Sequence, residues 1–161
     1  RMELFGLELS KEKTRILPFG RNCGTRETFD FLGFTHFNSK TRKGYYSVGH
    51  KISRKKKKQF KSNLKKWVKE NRDKQFDEFM KKLNKKLTGS FNYYSLSGMI
   101  REVRSLWIHS LYVTFKWLNR RSQRRSFKLE RFYEIWNVRI IHPYIHVDIW
   151  SGDKVIYNKN V

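Results

Sequence analysis

The residues able to do chemistry in this chain are few and far apart. Two-metal polymerases and nucleases bring carboxylates together to hold Mg²⁺. Here no two aspartates are adjacent or two apart, and Asp30, Asp73, Asp77, Asp148 and Asp153 lie scattered among lysines. HPYIH, His142–His146, has the i, i+4 spacing of a metal pair. Pro143 opposes a helix there and no further ligand is near, so both read as surface histidines. Neither a Gly-rich phosphate cradle nor a nucleophile elbow occurs. Taken alone, the chain carries no active site. What its residues offer instead is charge and stacking. Lys and Arg number 37 against 14 Asp and Glu, a formal charge of +23, and 16% of the residues are aromatic. Such an excess opposes compaction and points to a polyanionic partner. The aromatic content is too high for a disordered basic tail and suits RNA, whose bases stack on rings while cations sit on phosphates.

Four groups of residues concentrate that chemistry. In FDFLGFTHFNSKTRKGYYSVGH, Phe29 to His50, a hairpin has almost every strand position apolar, and its turn, Asn38 to Gly44, carries Lys40, Arg42 and Lys43. In SRKKKKQ, Arg54 and Lys55, Lys56, Lys57 and Lys58 open a helix, where the macrodipole disfavours cations. Phosphates would offset that local cost; the alternative is a solvated helix start. In RRSQRRS, Arg120, Arg121, Arg124 and Arg125 follow a helix end, where they favour the dipole and where guanidinium forks bind phosphate in bidentate fashion. Structure alone would also account for them. In FNYY, Phe91 and Tyr94 continue an apolar stripe into the core, leaving Asn92 and Tyr93 exposed as candidate contacts to bases.

The elements that must position these residues divide near residue 53. Arg1–Phe5 reads as a last helical turn stopped by Gly6, followed by a strand over Lys13–Leu17 that Pro18 and Gly20 end, and then the hairpin. After Ser53 the period becomes helical. Phe60, Leu64, Trp67 and Val68 share one face of a first helix; Phe76, Phe79, Met80, Leu83 and Leu87 share one face of a second, which Gly89 interrupts. A third helix, about Gly98–Asn119, turns Ile100, Val103, Leu106, Trp107, Leu111, Phe115 and Leu118 inward. A short fourth, with Ser126 as N-cap, gathers Leu129, Phe132, Tyr133 and Trp136; Trp67, Trp107, Trp117 and Trp136 are assigned to core or helix contacts. The fold class is α+β: short antiparallel strands over 1–53, a basic three- to four-helix bundle over 54–137, and a β-prone tail over 138–161. The lone Cys23 excludes an internal disulfide and suits a reducing compartment. No apolar run reaches the roughly 20 residues of a membrane span, and no signal peptide opens the chain. An opening at Arg1 in what reads as a helix end is expected of a piece of a longer polypeptide.

GLELSKEKTRILPFG, ETFDFLGFTHFNSKTRKG, the basic helix, LTGSFNYYSLSG and FKWLNRRSQRRSF, in that order from Gly6 to about Phe132, resemble the C-terminal part of bacterial group II intron reverse transcriptase/maturases. The resemblance implies that the first two blocks close the polymerase palm and that the helices form its thumb, the maturase domain. FDFLGF would then lie between palm and thumb, apolar on both faces, with Phe31, Leu32 and Gly33 at the primer terminus and Arg42 and Lys43 beside the template–primer backbone. Gly33 would allow a close backbone approach or form a bulge. Lys13 would neutralise the incoming triphosphate, the alternative being a solvated lysine or one paired with Glu12. The chain departs from the family in lacking the Tyr-x-Asp-Asp aspartates, so Mg²⁺ is expected in the intact polymerase site and no cofactor in this chain. The implied partners are intron RNA and RNA/DNA template–primer, with target DNA as a further one and no membrane. The implied setting is a prokaryotic cytoplasmic ribonucleoprotein, or an organelle. Two rivals remain: a related defence- or CRISPR-associated reverse transcriptase, and a stand-alone basic RNA-binding protein without polymerase activity.

Overall fold

The computed structural model describes residues 3–6, 8, 10, 14, 16–23, 26–121 and 126–145. A 3-10 turn, Glu3–Phe5, stands before Gly6. Three strands follow, β1 Thr28–Phe31, β2 Phe34–Lys40 and β3 Tyr46–Ile52, paired antiparallel in the order β1-β2-β3. Among the described residues four helices follow: α1 Arg54–Asn71, α2 Phe76–Tyr94, α3 Ile100–Leu118 and α4 Leu129–Arg139. This is the α+β arrangement of antiparallel strands followed by helices that the residue patterns predict.

The strand region differs from expectation in three places. Of the strand expected over Lys13–Leu17, the described residues Thr14, Ile16 and Leu17 lie outside any strand, and the Thr14 amide and hydroxyl both donate to the Ser10 carbonyl, 3.0 and 2.8 Å; Lys13 and Arg15 lie outside the described residues. Intrinsic β-propensity makes no strand without a neighbour to complete its ladder. FDFLGF is also not one strand. The backbone reverses at Leu32 and Gly33, whose φ angles of 49° and 84° are the pair a tight two-residue hairpin demands, and Phe31 pairs directly with Phe34. Consequently Phe31 and Leu32 stand 60% and 68% exposed at a turn rather than buried between two layers. Finally, β2 continues to Lys40, so the second reversal falls at Thr41–Tyr45, closed by Thr41 N–H to Tyr45 O at 2.8 Å. Within the sheet, Gly49 opposes Phe37, and any Cβ on it would sit 2.4 Å from the ring, so the phenyl lies across bare backbone.

The helices bury the faces that their periodicity assigns. Leu64 and Val68 of α1, Phe79, Met80, Leu83 and Leu87 of α2, Val103, Leu106 and Leu111 of α3, and Phe132 and Trp136 of α4 form one core. Gly89 does not interrupt α2. A helical glycine costs about 1 kcal/mol against alanine, less than the anchoring gained from buried Leu87 and Phe91 on either side. Ser53 caps α1 by accepting from Lys56 N, whereas α4 starts at Leu129 with Lys128, not Ser126, at the N-cap. The link before α4 is held by Asn119, whose amide side chain accepts from Phe127 N at 2.9 Å and donates to Phe127 O at 3.1 Å. Leu129 and Tyr133, grouped by spacing with Phe132 and Trp136, remain 42% and 48% exposed while those two are buried. Residues 141–145 are irregular, so the β character expected around Pro143 does not appear there.

Contacts along α1 and α3 fix their relative direction. Lys57 meets Glu102, Lys61 faces His109, and Arg72 lies over Trp117, so the two helices run parallel with α2 returning antiparallel between them in sequence. Both N-termini lie at the sheet. There Ser53 N–H donates to Gly33 O at 2.9 Å, Tyr93 Oη–H donates to Leu32 O, and the Phe34 ring stacks on Tyr93.

Candidate nucleic-acid interface

The parallel pair α1/α3 carries two cationic ends. At the N-terminal end, Arg54, Lys55, Lys56 and Lys58 are exposed. Lys57 is half-buried and bound to Glu102 Oε2 at 2.8 Å. Glu102 belongs to the first turn of α3, where a carboxylate complements the dipole, so it holds one lysine of the run and leaves the others to solvent. The stem of Lys56 lies against the β1–β2 turn, its Cγ 3.3 Å from where a Gly33 Cβ would stand. Gly33 therefore serves both as a positive-φ turn residue and as a close approach. Tertiary folding thus brings Phe31, Leu32, Gly33, Lys56 and Tyr93 to one place, although they come from separate stretches of sequence.

Other sequence candidates lie elsewhere. Arg42 and Lys43 sit in the β2–β3 turn, at the far end of a seven-residue strand, about 20 Å away at the usual strand rise. Asn92 is half-buried and accepts from Tyr144 Oη at 3.1 Å. Tyr93 is 52% exposed, as expected, but its hydroxyl is engaged by the turn and its ring by Phe34. Lys13, Arg124, Arg125 and His146 lie outside the described residues. Among the described residues no group of three or more His, Cys, Asp or Glu is placed to hold a metal ion, and no helix is long and apolar enough to cross a membrane.

At the C-terminal end of the pair, the half-buried Trp117 indole is ringed by cations. Lys69 Nζ lies 5.9 Å, Arg72 Cζ 5.5 Å and Arg120 Cζ 5.4 Å from its centroid. Beside them Arg121 donates from Nε to Leu118 O at 3.3 Å and from its terminal nitrogen to Arg72 O at 3.4 Å, joining the carbonyl ends of both helices. Parallel helices place their negative ends together, and a guanidinium between them answers that directly. Arg72 Nε is buried without a hydrogen bond; the nearest acid oxygen, Asp73 Oδ2, is 3.7 Å away. Lys69, Arg72 and Trp117 were not legible as a cluster, because nothing in a single sequence says that α1 and α3 end side by side.

Three histidines lie in the sheet and in the seam between α1 and α3. The His36 and His50 Nδ1 atoms approach to 2.9 Å across β2 and β3, and burial, with the charge of His36 second, holds His50 below the ordinary imidazole pKa. Burial, with Lys61 second, does the same to His109 in the α1–α3 seam. No curated protein and no solved structure gave a match to the chain. Residues 57–134, from the first turn of α1 to the middle of α4, do match a family model, that of the group II intron maturase-specific domain.

Proposed function

We propose that this chain is the RNA-gripping thumb and maturase portion of a group II intron-encoded RNA-directed DNA polymerase. The observation that carries this reading is that the stretch similar to a maturase-specific domain is the same stretch whose helices bury one apolar face and turn lysines and arginines outward. In this role the exposed lysines at the start of α1 hold the backbone of intron RNA and of template–primer. The intron performs the splicing chemistry itself. The protein favours its folded, splicing-competent shape, which needs affinity and positioning rather than catalytic side chains. Target-primed copying would use Mg²⁺ on carboxylates that do not cluster among the described residues. The Phe31–Gly33 turn would meet the primer terminus, and Lys13 the triphosphate.

The test is binding of the chain to folded group II intron RNA across a salt series. Engagement of six to ten phosphates lowers affinity by roughly 10³–10⁵-fold between about 50 and 200 mM salt, and the chain should lower the Mg²⁺ concentration at which that intron self-splices. Tight binding with a flat salt dependence, or splicing indifferent to the protein, would overturn the reading.

A further inference from the structure

The groove between α3 and α4 takes no part in the two cationic ends. Its volume is about 610 Å³, within the roughly 300–1,000 Å³ of small-ligand sites. Trp107, 5% exposed, forms its floor. Ile108, Tyr112, Leu129 and Tyr133 form its walls and are left 44%, 53%, 42% and 48% exposed. The shape is set by the protein itself. Trp107 Nε1–H donates to Ile141 O at 3.0 Å, the His142 ring stacks on the indole at 5.2 Å, and Tyr133 meets it edge-on at 6.3 Å.

Charge around the groove identifies its occupant. Along α3 the exposed residues Arg101, Arg104, Ile108, Tyr112 and Lys116 succeed one another at intervals of three or four and so share one face. Cations therefore bracket an apolar and aromatic stretch, and Arg104 itself lines the groove. An apolar peptide would gain nothing from that bracket. A flat base on a phosphodiester backbone matches both parts, the ring faces between and the cations on either side. Glu130 at the groove adds an acceptor suited to an exocyclic amine of a base. We propose that the α3–α4 groove binds one unpaired base of single-stranded RNA against Tyr112 and Tyr133, with its flanking phosphates on Arg104 and Lys116. This rests on the RNA-binding reading above.

The experiment titrates the full chain with single-stranded RNA carrying one 2-aminopurine, and maps photo-cross-links from the same RNA bearing 4-thiouridine. Binding should quench the 2-aminopurine, and cross-links should fall in the peptide spanning residues 129–143. Tyr133→Ala, at a half-exposed position, should weaken binding about 5- to 150-fold, with the salt slope unchanged and Tyr133→Phe near wild type. A flat salt dependence of the wild-type chain would instead defeat the RNA-binding reading itself. A steep wild-type slope with undiminished affinity in Tyr133→Ala, or cross-links confined to α1, would overturn the pocket alone and leave the groove to a protein partner.

Discussion

The two ends of the α1/α3 pair carry similar charge in opposite settings. At the C-terminal end the cations stabilise the fold: Arg121 satisfies carbonyls of both helices, and Lys69, Arg72 and Arg120 pack on Trp117. Each sits where the helix dipole favours it. At the N-terminal end Lys55, Lys56 and Lys58 sit where the dipole opposes them, and among the described residues only Lys57 of this run meets a carboxylate, Glu102. Position on a helix, more than residue type, therefore separates cations that hold the protein together from those that the proposed function assigns to RNA.

The largest effect separating the ends should come from Lys55→Gln, Lys56→Gln and Lys58→Gln combined. Intron RNA affinity should fall on the order of 10²-fold near ~0.1 M salt, with the slope of log affinity on log salt reduced by about 2–3. The thermal midpoint of the free protein should hold or rise, since a dipole penalty is removed; a lower midpoint would erase the distinction. Trp117→Ala should do the reverse. A buried Trp→Ala change costs about 3–5 kcal/mol, and at a half-buried position about half of that is expected in urea unfolding, with a smaller effect on RNA than the lysine triple.

Next in size is Arg121→Met, which keeps the stem but removes both carbonyl contacts. It should cost about 1–3 kcal/mol of stability, the worth of charge-assisted hydrogen bonds, and move the salt slope by less than one phosphate contact. A stability loss near zero would show the two helix ends to be adequately solvated.

The smallest effect is on pH dependence, and it lies between the two ends. His109 and His50 are held below the ordinary value of 6.5. In the window between that value and their lower folded ones, the unfolded chain binds more protons, so stability rises with pH there. It is full above 6.5 and is lost as pH falls. Urea midpoints taken from about pH 5 to 8 should show this, and His109→Gln should flatten part of the slope. An unchanged profile would place the titration at His50 instead.

The helical half was legible because a repeating apolar spacing needs no knowledge of neighbours: Leu64, Val68, Phe79, Leu83, Val103, Leu106 and Trp136 are core residues on period alone. The strand half was less so. FDFLGF satisfied the pattern of a buried strand, yet two positive φ angles turn it back on itself, and a leucine at such an angle has no sequence signature. Thr14, Ile16 and Leu17 are strand-forming residue types but gain no ladder. Of the candidate interface, the lysine run was visible as composition, whereas the pairing of Lys57 with Glu102 and the exposure of its neighbours were not.

By itself the sequence determined that this chain folds around amphipathic helices, carries a large positive charge, and has no two aspartates adjacent or two apart, because these follow from residue type and spacing. Only the tertiary structure decided that α1 and α3 run parallel, that Gly33 abuts Lys56, and that Trp117 gathers three cations. Those are meetings between residues distant in the chain, and they depend on how packed faces align, which local periodicity does not encode.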